Sequence, residues 1–384
     1  MFFWPEPCCL HLSSALMGKQ KPEQRAKLGR NWDKCRKILG RYGNVPTSAV
    51  TVICKAFGND FGSMRRQKAK ELDLHTPVGP LIVEVPLVIG ATKYRKAKLF
   101  KWQVANPLAL LYVACESSSQ FSDFLRAQLV DSRDSLVLYT DEVTPGNVLR
   151  PDGTRKSQCI YACFRMLPYW FRSRNCGWLP IGLLKSWKVK SIHGGMSMVS
   201  KKVFQICYGE MFSFRLGVQL PSGSSGGTWC LRAEFCCWSQ DLDAHREVGD
   251  VKGSSGSKCC LWCRNVVKGV KNLTDGDYFK DYRTATPDSF DLYTEATFQN
   301  MVDLVERSKD LENFKDVQQA AGINYNPDGL IFAKPPLMSY PKHTCPDWVH
   351  MLVAAGGTLQ TVLNSFVTAV VRSKELWSII FWII

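Results

Sequence analysis

Apolar residues fall along this chain in short blocks whose spacing shifts between the two regular periods. Pro107 opens a helical segment through Leu108, Leu110, Leu111 and Val113, and a second follows with Phe121, Phe124, Leu125 and Leu129 at helical spacing. The pattern then turns strand-like. A short apolar strand begins at Leu136, ends on Asp141 and Glu142, and breaks into Pro145-Gly146-Asn147. Arg150-Pro151-Asp152-Gly153 supplies a turn, and Ser157 to Phe164 reads as the return strand of a hairpin. Trp178 to Leu184 is a third strand whose Pro180 suits a sheet edge. Met196 to Phe214 is mixed and reads as helical, and Pro221 to Gly227 is a flexible loop. From that loop emerges Thr228 to Trp238, an apolar run that again ends on acids, Asp241 and Asp243. Further on, Phe298, Met301 and Val305 share one face of an amphipathic helix. A last apolar helix is broken at Gly356-Gly357, and no internal repeat is present.

Length and charge extend this picture. The 384 residues allow two or three domains, or one domain with insertions. A formal charge of +15 favours a polyanionic partner, with nucleic acid first and anionic membrane second. No run of about 20 apolar residues could span a bilayer, and the amino end lacks a secretory pattern, so an intracellular, nuclear protein is expected. Three basic clusters lie in the first hundred residues: 19–43 with the spacing of a basic amphipathic helix, Met64 to Lys70, and Lys93 to Lys98. They read equally as DNA-contacting segments and as solvated faces. The sixteen cysteines are, inside a cell, core thiols or metal ligands. The apolar end, Leu376 to Ile384, reads either as a buried final element or as a domain cut short.

Candidate chemistry centres on carboxylates. Asp141 and Asp241, about 100 residues apart, each stand where an apolar strand hands an acid to a loop. A hairpin with an acid ending its first strand, a third strand, a helix, and a fourth strand ending in an acid is the order of a ribonuclease H-like core. Three such carboxylates can hold two divalent cations for phosphodiester chemistry, and Mg²⁺ (or Mn²⁺) takes hard oxygen ligands. Lys252 to Lys258 is not a phosphate loop, since no G-x-x-x-x-G-K-[ST] register fits it. Cys260 and Cys263 form a CxxC element that can seat zinc, with Cys259, His245, His343 and Cys345 open as further ligands. Trp170, Trp178, Trp187 and Trp229 are candidates for stacking on bases at a DNA end, and Arg172 and Arg174 for phosphate contact.

Four short blocks, in order, carry a family resemblance: Thr140 to Asn147, Ser239 to Arg246, Lys252 to Asn265, and Pro346 to His350. Together they resemble cut-and-paste transposases of the Kyakuja-Dileera-Zisupton and Plavaka type, over roughly residues 105 to 370. The resemblance implies a DDE-type transposase that cleaves DNA phosphodiesters with bound metal and transfers the freed 3′-hydroxyl. Asp141 would be the first metal-binding acid and Asp241 the second, with Asp243 its competitor. Asp347 would be the third, although Thr344 to Asp347 reads also as a helix-capping box. The expected class is α/β: a ribonuclease H-like mixed sheet flanked by helices, with a basic helical region at 1–104, core at 105–250, a cysteine-containing insert at 251–335, and a helical remainder of the core at 336–384. DNA is the expected partner, no membrane is, and homo-oligomerisation is left open. Two other functions fit the residues: an inactive, domesticated DNA-binding derivative, and a zinc-stabilised interaction protein.

Overall fold

Alternation of apolar and polar residues produces the first regular structure. In the computed structural model, which describes residues 75–90, 96–129, 134–143, 156–210, 213–274, 276–283 and 286–346, β1 (Ile82–Ile89) and β2 (Lys98–Ala105) form an antiparallel hairpin. Val85, Leu87, Trp102 and Val104 are buried on one face while their neighbours stay exposed, as a period-2 strand requires. The helical expectation for 1–104 therefore fails over this described part. Here buried apolar residues at alternate positions outweigh the basic residues on which a helical reading rests. The basic segments at 19–43 and 64–70, the turn at Arg150, the final helix and the apolar end lie outside the described residues.

The chain divides into two compact units, Met1–Leu138 with Glu142–Cys236, and Tyr139–Asp141 with Cys237–Ile384. The first holds helices α1 (Pro107–Ser117) and α2 (Ser119–Leu129), both near the positions the periodicity predicts. Asn106 starts α1 by accepting the Leu108 amide on its side chain, with Pro107 at the first position. Strand β3 (Asp134–Val143) includes both acids and runs one residue past them. It is followed by β4 (Ser157–Phe164), the single turn α3 (Tyr169–Arg172), β5 (Leu179–Lys185) and the single turn α4 (Ser186–Val189). Helix α5 (Gly195–Cys207) ends seven residues before Phe214, where Tyr208 turns into a bridge with Ser213. The run from Thr228 proves to be two strands. β6 (Val218–Pro221) pairs with β7 (Thr228–Leu231), and after Arg232 a new strand, β8 (Ala233–Gln240), sets off. Leu136, Leu138, Ala162, Val199 and Val203 are among the most buried residues of this unit.

The second unit contains α6 (Leu242–Val248), α7 (Glu295–Arg307), α8 (Phe314–Ala321), the turn α9 (Tyr340–His343) and β9 (Thr344–Pro346). Phe298, Val302 and Val305 form the buried stripe of α7 and pack with Leu261, Ile323, Phe332 and Tyr340. Met301 is partly buried at the edge of this cluster. Residues 344–346 are a strand and not the start of a helix, which corrects the capping-box reading of Thr344 to Asp347 over these residues; 347–384 lie outside the described residues.

The principal sheet has five strands in the order β9-β8-β3-β4-β5. β4 and β5 run antiparallel, with a register shift at Ile160/Tyr161, and β8 and β9 run parallel, so the sheet is mixed. The protein is thus α/β, a mixed sheet flanked by helices. Pro180 sits on the edge strand β5, where a missing donor is tolerated. Gly182 of the same strand lies against the Trp102 ring so closely that a Cβ there would overlap it. Gly182→Ala should lower the urea unfolding midpoint by the equivalent of about 1–3 kcal/mol of overpacking. An unchanged midpoint would show that the indole moves aside freely.

Candidate active site

The candidate site lies at the ends of β3, β8 and β9, within the second unit. Thr140 is buried, and its Oγ1 accepts the Nε1 proton of buried Trp238 at 2.8 Å. Asp141 stands one residue beyond this bond on β3, and Asp241 three residues beyond it after β8. The two acids that motivated the functional reading are therefore carried by neighbouring strands. Asp141 is half-buried. Successive strand residues face opposite sides, so Glu142 turns away from Asp141. It pairs with Lys156 at 2.6 Å. Burial works to raise the Glu142 carboxyl, but Lys156, the Ser186 hydroxyl and the Lys190 charge together outweigh it and hold the group below its usual range.

Asp241 caps α6. Its Oδ1 accepts the Ala244 amide at 2.6 Å, which satisfies a free helix donor, while Oδ2 has no hydrogen bond among the described residues. Asp243, the competitor, is largely exposed and pairs with Arg246 at 2.6 Å on the same helix. Position thus separates the two acids: Asp241 is fixed at the strand end and Asp243 faces solvent.

Behind the acids lies a buried polar network with no counterpart in the motif reading. His245 is fully buried and bridges two strands: its Nδ1 meets the Gln240 amide nitrogen at 3.0 Å, and its Nε2 meets the Cys345 carbonyl at 3.0 Å. An amide nitrogen only donates and a carbonyl only accepts, so the ring is the Nε2–H tautomer. Tyr340 donates its hydroxyl proton to the His245 carbonyl at 2.6 Å, and Trp262 donates to Thr344 at 3.1 Å. With both nitrogens engaged, His245 drops out of the candidate zinc set. Its signal in the sequence was a histidine four residues after a strand-end acid, which marks a first-turn helix position as readily as a ligand.

Among the cysteines, the Cys263 amide donates to Cys260 Sγ at 3.3 Å, a turn that folds the CxxC back on itself. Burial, then the adjacent Cys260, pushes the Cys263 thiol up, and burial does the same to Cys259. His343 Nδ1 accepts the Ser339 amide at 3.0 Å, and Cys345 is exposed. Among the described residues, no group of three or more His, Cys, Asp or Glu side chains stands close enough to share a metal ion. Asp347 lies outside the described residues. Its predecessor Pro346 is the register partner of Gln240, which itself precedes Asp241.

The tryptophans also separate. Trp229 is buried and Trp178 is tied through Nε1 to the Arg172 carbonyl at 2.8 Å, whereas Trp170 and Trp187 are exposed. Arg172 donates to the Leu167 carbonyl at 2.7 Å and holds a turn, and Arg174 lies over the Trp170 ring. No protein-family model matches the chain, and no curated protein matches it. No helix among the described residues is long and apolar enough to cross a membrane.

Burial lowers the affinity of His245 for a proton, against the opposing pull of the Cys345 carbonyl and the Asp241 charge. The unfolded chain then binds a proton that the folded chain refuses, so stability rises with pH. The contribution is complete above the ordinary histidine value of about 6.5 and is lost progressively as pH falls below it. His245→Gln should flatten the fall in melting temperature between about pH 7 and pH 5. A variant whose profile stays parallel to wild type would remove His245 from this role.

Proposed function

We propose that the chain is a transposase-like nuclease of the DDE type, built on a ribonuclease H-like core, that cleaves DNA phosphodiesters with Mg²⁺ or Mn²⁺. One observation carries this reading: Asp141 stands on β3 and Asp241 directly follows the neighbouring strand β8, in a mixed sheet whose order is third, second, first, fourth, fifth along the chain. Further support comes from the register that sets Pro346 beside Gln240, since Asp347 and Asp241 each follow these partners in sequence.

The donor set fits a hard divalent cation. Asp141 is half-buried on its strand, and Asp241 keeps Oδ2 for a ligand while Oδ1 holds its helix. When bound, such a cation stabilises negative charge on the phosphodiester oxygens. The chain's own part is to hold the two carboxylates in fixed positions. The Thr140–Trp238 bond locks β3 to β8 one residue from Asp141, and the α6 cap fixes the Asp241 carboxylate group. Under this reading Cys260 and Cys263 of the CxxC turn would hold a structural zinc, with Cys259, His343 or Cys345 as the candidates for its remaining ligands.

The cap bond of Asp241 also supports a second reading, a DNA-binding derivative in which this acid is retained for structure. Asn caps a helix as well as Asp does but lacks the charge. Asp241→Asn therefore separates the two roles. Asp141→Asn and Asp241→Asn should each lower Mg²⁺-dependent nicking of supercoiled plasmid by on the order of 10³-fold while the melting temperature holds. Asp243→Asn should nick as wild type. Full nicking by either strand-end variant would refute the catalytic assignment, and a wild-type chain that binds plasmid without nicking it would favour the second reading.

A further inference from the structure

We propose that the Gly90 and Lys96–Lys98 end of the β1–β2 hairpin and the segment Lys185–Lys190 form one nucleic-acid contact surface, with lysines on the backbone phosphates and Trp187 stacked on an unpaired base. The proposal rests on the nucleic-acid part of the reading above and is independent of whether the strand-end acids cut.

The two segments are fastened to each other by several bonds. The Gly90 amide donates to the Ser191 carbonyl at 2.8 Å, and the His193 amide to the Val88 carbonyl at 2.7 Å. Ile89 bridges Ile192 on one side and pairs with Lys98 of β2 on the other. Lower down, Trp102 Nε1 donates to the Leu183 carbonyl at 3.3 Å. The surface is therefore one rigid element within the first unit.

Its chemistry is one-sided. The Lys188 ammonium lies 3.8 Å from the Phe100 ring centroid and 5.8 Å from that of Trp187, so it is held between two aromatic rings. Lys96, Lys98 and Lys190 are exposed around it. Of the nearby acids, Glu84 pairs with Lys101 at 2.9 Å, and Glu142 pairs with Lys156 at 2.6 Å and also feels the Lys190 charge. Lys96, Lys98 and Lys188 form no ion pair among the described residues. Beside them Trp187 is 55% exposed.

Packing alone explains the Lys188–Phe100 contact. It does not explain a solvent-exposed indole beside the Lys188 ammonium, on a surface that also exposes Lys96, Lys98 and Lys190. That combination matches a polyanion with aromatic faces, since bases stack on aromatic side chains in a sequence-tolerant way while lysines follow the backbone. An anionic membrane would satisfy the charge but would give the indole no base to stack on.

The test uses the full chain and fluorescence anisotropy, with labelled blunt duplex DNA and the same duplex bearing a single-stranded 3′ overhang. Trp187→Ala should weaken overhang binding roughly tenfold and leave blunt-duplex binding unchanged. The double variant Lys98→Gln/Lys190→Gln, which spares the Lys188–Phe100 packing, should weaken both and reduce the slope of log affinity against log salt by about 1 to 2. All of these side chains except Lys188 are exposed, so melting temperatures should match wild type. If wild type binds and both variants bind identically to it, this surface is wrong while the nucleic-acid reading stands. If wild type shows no salt-sensitive DNA affinity, both fall. Capture by phosphatidylserine vesicles that DNA does not compete away would also overturn the proposal, in favour of a membrane.

Discussion

The His245 imidazole is the link on which the geometry of the second unit depends. It joins the end of β8, the first turn of α6 and the carbonyl of Cys345 on β9, a partner 100 residues away in the chain. A buried hydrogen bond contributes only about 1 kcal/mol net, but a partner left unsatisfied costs about 1–3 kcal/mol. Losing this ring would orphan the Gln240 amide and the Cys345 carbonyl together. The constraint acts where it matters, because Asp241 directly follows Gln240 and is held by the helix that carries His245.

This arrangement gives Asp241 two tasks. One carboxylate oxygen stabilises a helix start, and the other forms no hydrogen bond among the described residues. A carboxylate immobilised by its own fold does not have to be ordered when a ligand arrives, which is the advantage of a preorganised site. Asp141 gains the same benefit from the Thr140–Trp238 bond next to it. Glu142 and Asp243, one and two residues away from these acids, are instead neutralised by lysine and arginine at the surface.

Much of the sheet was legible in the sequence because its strands are apolar and short. β4 and β5 lie near their predicted positions, and Asp141 on β3 and Asp241 just after β8 belong to the ends of neighbouring strands. The β1–β2 hairpin was not seen, since its exposed positions carry lysines that read as a charge run while Val85, Leu87, Trp102 and Val104 alternate beneath them. The Thr228 run reads as one strand because only Arg232 and Glu234 interrupt its apolar residues. β9 was hidden for a related reason. Three residues paired in parallel carry no periodicity, and Thr-x-x-Asp resembles a helix cap. The His245 bridge could not be read at all, since its partners are a backbone carbonyl and a glutamine whose proximity only the fold creates.

The central claim is that Asp141 and Asp241 together hold a divalent cation. Electron paramagnetic resonance of Mn²⁺ titrated into the full chain tests it without relying on any DNA substrate. The account predicts that wild type binds Mn²⁺, that Mg²⁺ displaces it, and that the Asp141→Asn/Asp241→Asn variant, folded and melting as wild type, loses the site. Equal Mn²⁺ binding by the wild type and by that variant would contradict it.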